Sequence, residues 1–297
     1  MKPADFGLLA AVCLVWALNL VVTRFAVTDL AIPPLFFAFI RVSLVALVLA
    51  PFLLPAPRQI GTVFLISMGM AGLQFGFLFT GLSTASASVG AVIGQLGVPF
   101  TTILSIMFLG EQIGWKRGLG ILMSFAGVMI IAFDADGFAL TVGILYLIAA
   151  ALASSAANIL MKRIDPMPAM RLQAWIGLFS MLPLLIWSLA AERGHLAPYL
   201  SGDWRVYAAS VFAVAGVSIF AHGNFYRLLK KYEVTLVSPL TLMTPVMGVL
   251  LGIILLGEPV TPRLIIGAII AIAGVGVISV RRNRRFPEAA VGDKITQ

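Results

Sequence analysis

Apolar residues in this chain gather in long unbroken runs instead of alternating or recurring on one face. Ten such runs can be marked, at 4–26, 33–54, 60–82, 87–109, 117–134, 140–161, 170–191, 205–228, 234–256 and 263–280. A helix crosses the hydrocarbon of a bilayer with about 20 apolar residues. The pattern therefore predicts ten transmembrane helices. The connections are short, hold nearly all the charge and leave no room for a soluble domain. The first run, from Phe6 to about Phe25, lacks a small-residue cleavage site and is expected to stay as a membrane helix, not a removed signal peptide.

Composition agrees. Hydrophobic residues make up 61% of the 297 and charged residues 11%, against about 45–50% and about 25% in soluble domains. A soluble globular enzyme, a disordered chain and a nucleic-acid binder are excluded. Of the 20 Lys and Arg, 15 fall on the side that holds the N-terminus and four, Arg24, Arg193, Arg205 and Arg263, on the other; Arg41 lies inside a run. Positive loops stay in the cytoplasm, so both termini are expected inside, in a bacterial inner membrane. The tail after Val280 is polar, and its four arginines suit anionic headgroups. Cys13 is the single cysteine, so no intrachain disulfide is possible.

The halves repeat. Leu109-Gly110-Glu111 recurs as Leu256-Gly257-Glu258, an offset of 147 that also pairs Gly120 with Gly267 and Ala126-Gly127-Val128 with Ala273-Gly274-Val275. At offset 146, Phe79, Leu82, Leu96 and Pro99 match Phe225, Leu228, Leu242 and Pro245; a weaker match at 139 pairs Ala17, Asn19 and Arg24 with Ala156, Asn158 and Arg163. Five spans is an odd number, so the second copy must enter the membrane upside down. The expected organisation is an all-α membrane protein with a first five-helix repeat over 1–136, an inverted second over 137–281 and a cytoplasmic tail over 282–297, whose composition predicts disorder. Inverted repeats mark transporters that bind substrate near the midplane between the halves.

These features, namely spans arranged 5+5, Leu-Gly-Glu after spans 4 and 9, mid-span Pro99 and Pro245, and Arg41 in span 2, resemble the drug/metabolite transporter superfamily. The chain is most similar to the EamA-type ten-helix exporters, and within them to the YddG-type amino-acid exporters. The resemblance covers about residues 5–281. It implies a helical basket around a central cavity lined by spans 1, 3, 4, 6, 8 and 9.

Candidate chemistry follows from what is costly in lipid. A proline cannot donate to the carbonyl four residues back, so Pro99 frees the carbonyl of Gln95 and Pro245 that of Thr241. Such broken backbone belongs against a cavity or other protein. It is expected to serve as a gate or to bind an ammonium group; a plain kink is the alternative. Polar residues share faces: Trp16, Asn19 and Thr23; Met70, Gln74 and Phe77; Ser88, Gln95 and Thr102; Ser154, Ser155 and Asn158; Ser218 and His222; Ser238, Thr241 and Gly248. They should point inward, as substrate ligands or as interhelical glue. The expected substrate-binding set is Trp16, Asn19, Gln74, Phe77, Gln95, Asn158, His222, Thr241 and Met243.

None of the 12 acidic residues sits at the centre of a run, which argues against carboxylate-based ion coupling. His222 is the one intramembrane group suited to proton exchange near neutrality. Arg41 is expected at the rim of the basket, snorkelling or paired with carbonyls. Glu111 and Glu258 are expected to lock hairpins by accepting from the first amides of spans 5 and 10. Gly72/Gly76, Gly90/Gly94 and Gly248/Gly252 suit close helix packing. There is no Walker loop, dinucleotide fingerprint, HExxH or CxxC, so no cofactor, metal or enzyme activity is expected. The partners expected are a small-molecule substrate and membrane lipid, with a monomer sufficient. The reading is an exporter of small amphipathic metabolites, amino acids foremost, by facilitated alternating access. The alternative is efflux of drugs or lipophilic cations, proton-coupled through His222.

Overall fold

The computed structural model describes residues 1–280 except 111, 135–136, 139–140, 166, 233–235 and 238–239. Glu111, Ser238 and the tail therefore lie outside the described residues. Among the described residues the regular structure is helical apart from a two-residue antiparallel pair, β1 (Phe133–Asp134) and β2 (Gly137–Phe138).

The helices follow the apolar runs: α1 (Pro3–Thr28), α2 (Pro34–Val48), α3 (Ile60–Leu82), α4 (Ala87–Leu109), α5 (Trp115–Ala132), α6 (Val142–Met161), α7 (Ala169–Ala191), α8 (Trp204–Leu229), α9 (Met243–Leu256) and α10 (Pro262–Val280). Seven described segments are long and apolar enough to cross a membrane, and α2 and α9 are shorter apolar helices. Both short helices depart from the sequence expectation for local reasons. α2 stops at Val48 and passes into a 3₁₀ turn at Ala50–Phe52, because Pro51 has no amide to continue the ladder. α9 begins late, since the chain before it is still turning: the Thr244 amide donates to the Thr241 carbonyl at 2.9 Å.

Three helices change pitch along their length. α3 is π-helical over Met68–Gly72 and α8 over Phe212–Ala221. α4 tightens to 3₁₀ at Gly94–Leu96, just before Pro99. Departures of this kind cluster at functional sites in helical proteins. α4 and α9 both end on a left-handed glycine, Gly110 (φ 67°) and Gly257 (φ 63°), whose amides return to Ser105 and Gly252. A side chain at either position would be strained there.

α5 packs along α10, α2 along α7, and α4 against α9. α1 lies against α8 and α9, while α6 lies against α3 and α4. The α5–α10 contact is made backbone to backbone. A Cβ added at Gly120 would lie 2.8 Å from the Gly274 carbonyl oxygen, and one at Gly267 would lie 2.6 Å from that of Gly127. Between these points Ser124 Oγ bonds its own helix at Gly120 and reaches the Ala271 carbonyl at 3.5 Å. The apolar core fills the space among α1, α2, α3, α7 and α8, with Phe37, Phe79, Ile32 and Leu184 fully buried.

Candidate functional site

The helices enclose a central space with two lobes. The first, about 230 Å³, is bounded by α2, α3, α6, α7 and α8, including Arg41, Gln74, Asn158, Gln173, Ser218 and His222. The second, about 260 Å³, is bounded by α1, α2, α3, α4, α6, α8 and Thr244 of α9, including Trp16, Asn19, Gln95 and again Arg41, Gln74 and His222. Arg41, Gln74, Phe75, Ser154 and His222 belong to both walls, so the lobes share one lining. The first lobe sits toward the end of the bundle where α6 finishes and α7 starts.

The pitch changes position this lining. The π-helical turn of α3 presents Met70 and Ala71, and that of α8 presents Val217 and Ser218. The 3₁₀ turn of α4 carries Gly94 and Gln95. Trp16 packs between two rings, with centroids 5.5 Å from His222 and 4.9 Å from Phe225, and its buried indole N–H has no acceptor. His222 Nδ1 lies 2.8 Å from the Val217 carbonyl. In the tautomer that donates there, Nε2 is left as an acceptor.

Of the expected ligands, Trp16, Asn19, Gln74, Gln95, Asn158 and His222 are brought together. Phe77 is not: it faces away, against Tyr146 and Trp187 at centroid distances of 5.9 and 5.3 Å. Met243 packs with Leu9, Cys13 and Leu228. Thr241 is off both walls, and its carbonyl is not free, because a 3₁₀ bond from Thr244 replaces the one Pro245 cannot make. Pro99 and Pro245 are buried away from the lobes. At the α4 break the Gly97 amide turns toward the carbonyls of Gly94 and Gln95, and Ser155 Oγ of α6 donates to the Gly97 carbonyl at 2.9 Å. The carbonyl freed by Pro245 is thus satisfied within its own chain segment, and α6 holds the backbone beside the α4 break. The expected lining also omitted α2 and α7, which supply Arg41, Val42, Gln173 and Ile176.

One carboxylate has a different role from the one expected, and a second, for which no role was expected, shares it. Glu258 does not cap span 10. It accepts from the amides of Ala87 (2.5 Å) and Ser88 (2.9 Å) and from the Ser88 hydroxyl, tying the end of α9 to the start of α4. Glu192 likewise ties the end of α7 to the start of α2, through the amides of Leu35 (2.7 Å) and Phe36 (3.0 Å). Amides at a helix N-terminus have no partner in their own helix and carry the positive end of its dipole, so a carboxylate fits there. At the same end, Arg24 donates to the Leu82 carbonyl at 2.6 Å.

Contrary to expectation, Arg41 does not snorkel at the rim but lies buried between the two lobes. It is 2% exposed, its guanidinium lies 4.3 Å from the Phe75 ring centroid, and it donates to Asn19 Oδ1 (3.2 Å) and Ser218 Oγ (3.4 Å). The signal was present in the sequence, since Arg41 is the one charge well inside an apolar run. No described acidic residue lines either lobe, and no described group of His, Cys, Asp and Glu could hold a metal.

Comparison with known proteins matches this architecture. A "Probable amino-acid metabolite efflux pump" of Salmonella typhimurium is 30% identical over 96% of this chain and 99% of its own length. A protein of the same description from Escherichia coli is 26% identical, covering 93% and 94%. A crystal structure at 18% identity superposes with a TM-score of 0.61 over 94% of this chain and 98% of that one, which is a likeness of fold. Apolar helices and bacterial relatives of near-equal length place the chain as an integral, multi-pass protein of the bacterial inner membrane. The profile of the EamA-like transporter family matches residues 5–133 and again 141–280, and the chain belongs to that family.

Proposed function

We propose that the protein exports small amphipathic metabolites, amino acids foremost and aromatic or apolar ones among them, by alternating access between two inverted five-helix halves. The observation that carries this is the central lining. Gln74, Gln95, Asn19 and Asn158 offer amides to a dipolar headgroup, while Trp16, Phe75 and Leu78 offer apolar surface to a side chain. The names of the Salmonella and Escherichia coli relatives support the substrate class.

Ten crossings in two inverted halves suit the packing. Exchanging α1 with α6, α2 with α7, α3 with α8, α4 with α9 and α5 with α10 maps the main helix contacts onto themselves. The pairs Gly120–Gly274 and Gly127–Gly267 swap under the same operation. The family profile's two matched stretches support the same division. With the termini inside, the carboxylate ties of Glu192 and Glu258 fall at the outer end and the first lobe lies toward the cytoplasm. That is a resting state suited to loading from within.

No carboxylate faces the lobes among the described residues, so transport runs down the solute gradient without an acidic coupling site. His222 on both walls favours one second reading, proton coupling. Lipophilic cations fit poorly, because a guanidinium already occupies the wall. Enzymatic chemistry would need a nucleophile bonded to a base, whereas in the lining the Ser218 hydroxyl meets Arg41 and the Ala213 carbonyl, and His222 Nδ1 lies on the Val217 carbonyl. The deciding experiment uses the purified chain in proteoliposomes, with counterflow measured across a panel of amino acids, organic cations and sugars. Saturable counterflow of amino acids is expected. Exchange confined to cations or sugars would sink the reading.

A further inference from the structure

Two buried N–H donors of the lining have no acceptor, and one of them belongs to the guanidinium of Arg41. A guanidinium presents five N–H donors and does not lose its proton in proteins. Its partners here are the Asn19 amide oxygen, the Ser218 hydroxyl and the face of Phe75, and its Nε has no acceptor. Trp16 Nε1, on the wall of the same lobe, is a second buried donor without an acceptor. Accepting from Arg41 engages the Asn19 oxygen and leaves that amide's N–H₂ as further donors. No described Asp or Glu lines either lobe to balance the charge.

A structural arginine in lipid is paired or its head reaches water at the membrane surface. Arg41 does neither: it is 2% exposed and is shared by both lobes. An unpaired buried charge is costly, so the missing partner is an acceptor of opposite sign that comes and goes with the solute. A carboxylate matches the fork of a guanidinium with two parallel bonds. A phosphate dianion would overbalance a single cation.

We infer that Arg41, with Trp16 Nε1 and the Asn19 amide beside it, is the anchor for a monocarboxylate of the transported solute. The inference rests on the central space being the transport site, and it names the group by which a solute is held there. The amides of Gln74, Gln95 and Asn158, whose oxygens can accept, remain for an ammonium group at the other end of a dipolar solute.

The test uses the full chain purified in detergent. Its thermal unfolding is followed against 3-phenylpropanoate, 3-phenylpropanamide, phenethylamine and L-phenylalanine, since a ligand that binds the folded state raises the midpoint by mass action. The acid should bind at least about tenfold tighter than the amide, because only the acid supplies a charged acceptor to the buried donors. Arg41→Lys should keep a reduced preference for the acid, and Arg41→Gln should bind acid and amide alike. Equal binding of acid and amide by the unaltered protein overturns the inference, as does no binding of the acid at millimolar concentration. So does an acid preference that survives in Arg41→Gln. If Arg41→Gln does not fold, the unaltered protein and Arg41→Lys decide. Acid binding that depends on Arg41, without counterflow of any amino acid, would keep the anchor and retire the amino-acid reading. Counterflow of phenylalanine and its amide at equal rates would do the reverse.

Discussion

Gln95 sits where α4 leaves α-helical pitch, and its side chain joins the wall shared by α1, α3 and α6. A single neutral hydrogen bond contributes about 1 kcal/mol net. Gln95→Ala is therefore expected to lower amino-acid counterflow about fivefold while leaving the unfolding midpoint unchanged. Undiminished flux through a well-folded variant would remove Gln95 from the site. Polar residues such as Gln95, Gln74, Asn19 and Asn158 were legible in sequence, because a buried amide inside a hydrophobic run must find polar company. Phe77 and Met243 were not, since an apolar side chain is equally at home against a solute, a neighbour or lipid. Arg41 was visible as a charge, but whether its long stem reached inward or outward depended on the tilt of α2 against α7, which no local pattern encodes.

At the level of helices, Glu258 and Glu192 tie together, at one end of the bundle, pairs of helices far apart in sequence. Glu258→Gln removes the charge from three hydrogen bonds at once, and bonds to charged groups contribute roughly 1.5–3 kcal/mol each. In a Cys13→Ser background carrying Gln95→Cys, this change should speed labelling from the outside by a membrane-impermeant thiol reagent, about tenfold or more. An unchanged labelling rate would show that Glu258 does not hold that end closed. The Leu-Gly-Glu motif showed in sequence where α4 and α9 end, but the left-handed conformation of Gly110 and Gly257 that ends them came only with the structure. The partner of Glu258 lay 170 residues away, beyond the reach of any local reading. The π-helical turns in α3 and α8 were also hidden, because their sequences Met68–Gly72 and Phe212–Ala221 carry no proline to mark them. The α5–α10 contact gives a separate expectation. Gly127→Leu should lower the unfolding midpoint, by an overpacking cost of about 1–3 kcal/mol or more, measured in detergent without ligand.

For the molecule as a whole, reporter fusions at either terminus should both report the cytoplasm; opposite locations would refute the inverted halves. An imposed pH gradient should not drive uphill accumulation in proteoliposomes, and if it does His222 becomes the coupling group. The helical course of the chain could be read from its apolar runs, since lipid forces every backbone polar group to pair within its own segment. Where those helices stand around the cavity could not, as with α2 and α7 on the wall. One pair takes no part in the lining: neither α5 nor α10 contributes a residue to either lobe. Joined glycine to glycine, they act as a keel. Under the proposed function, solute repertoire and structural integrity are thereby written in different parts of the chain. Diversification of α1 to α4 and α6 to α8 can retune what is carried, while changes along the keel register as lost yield of folded protein.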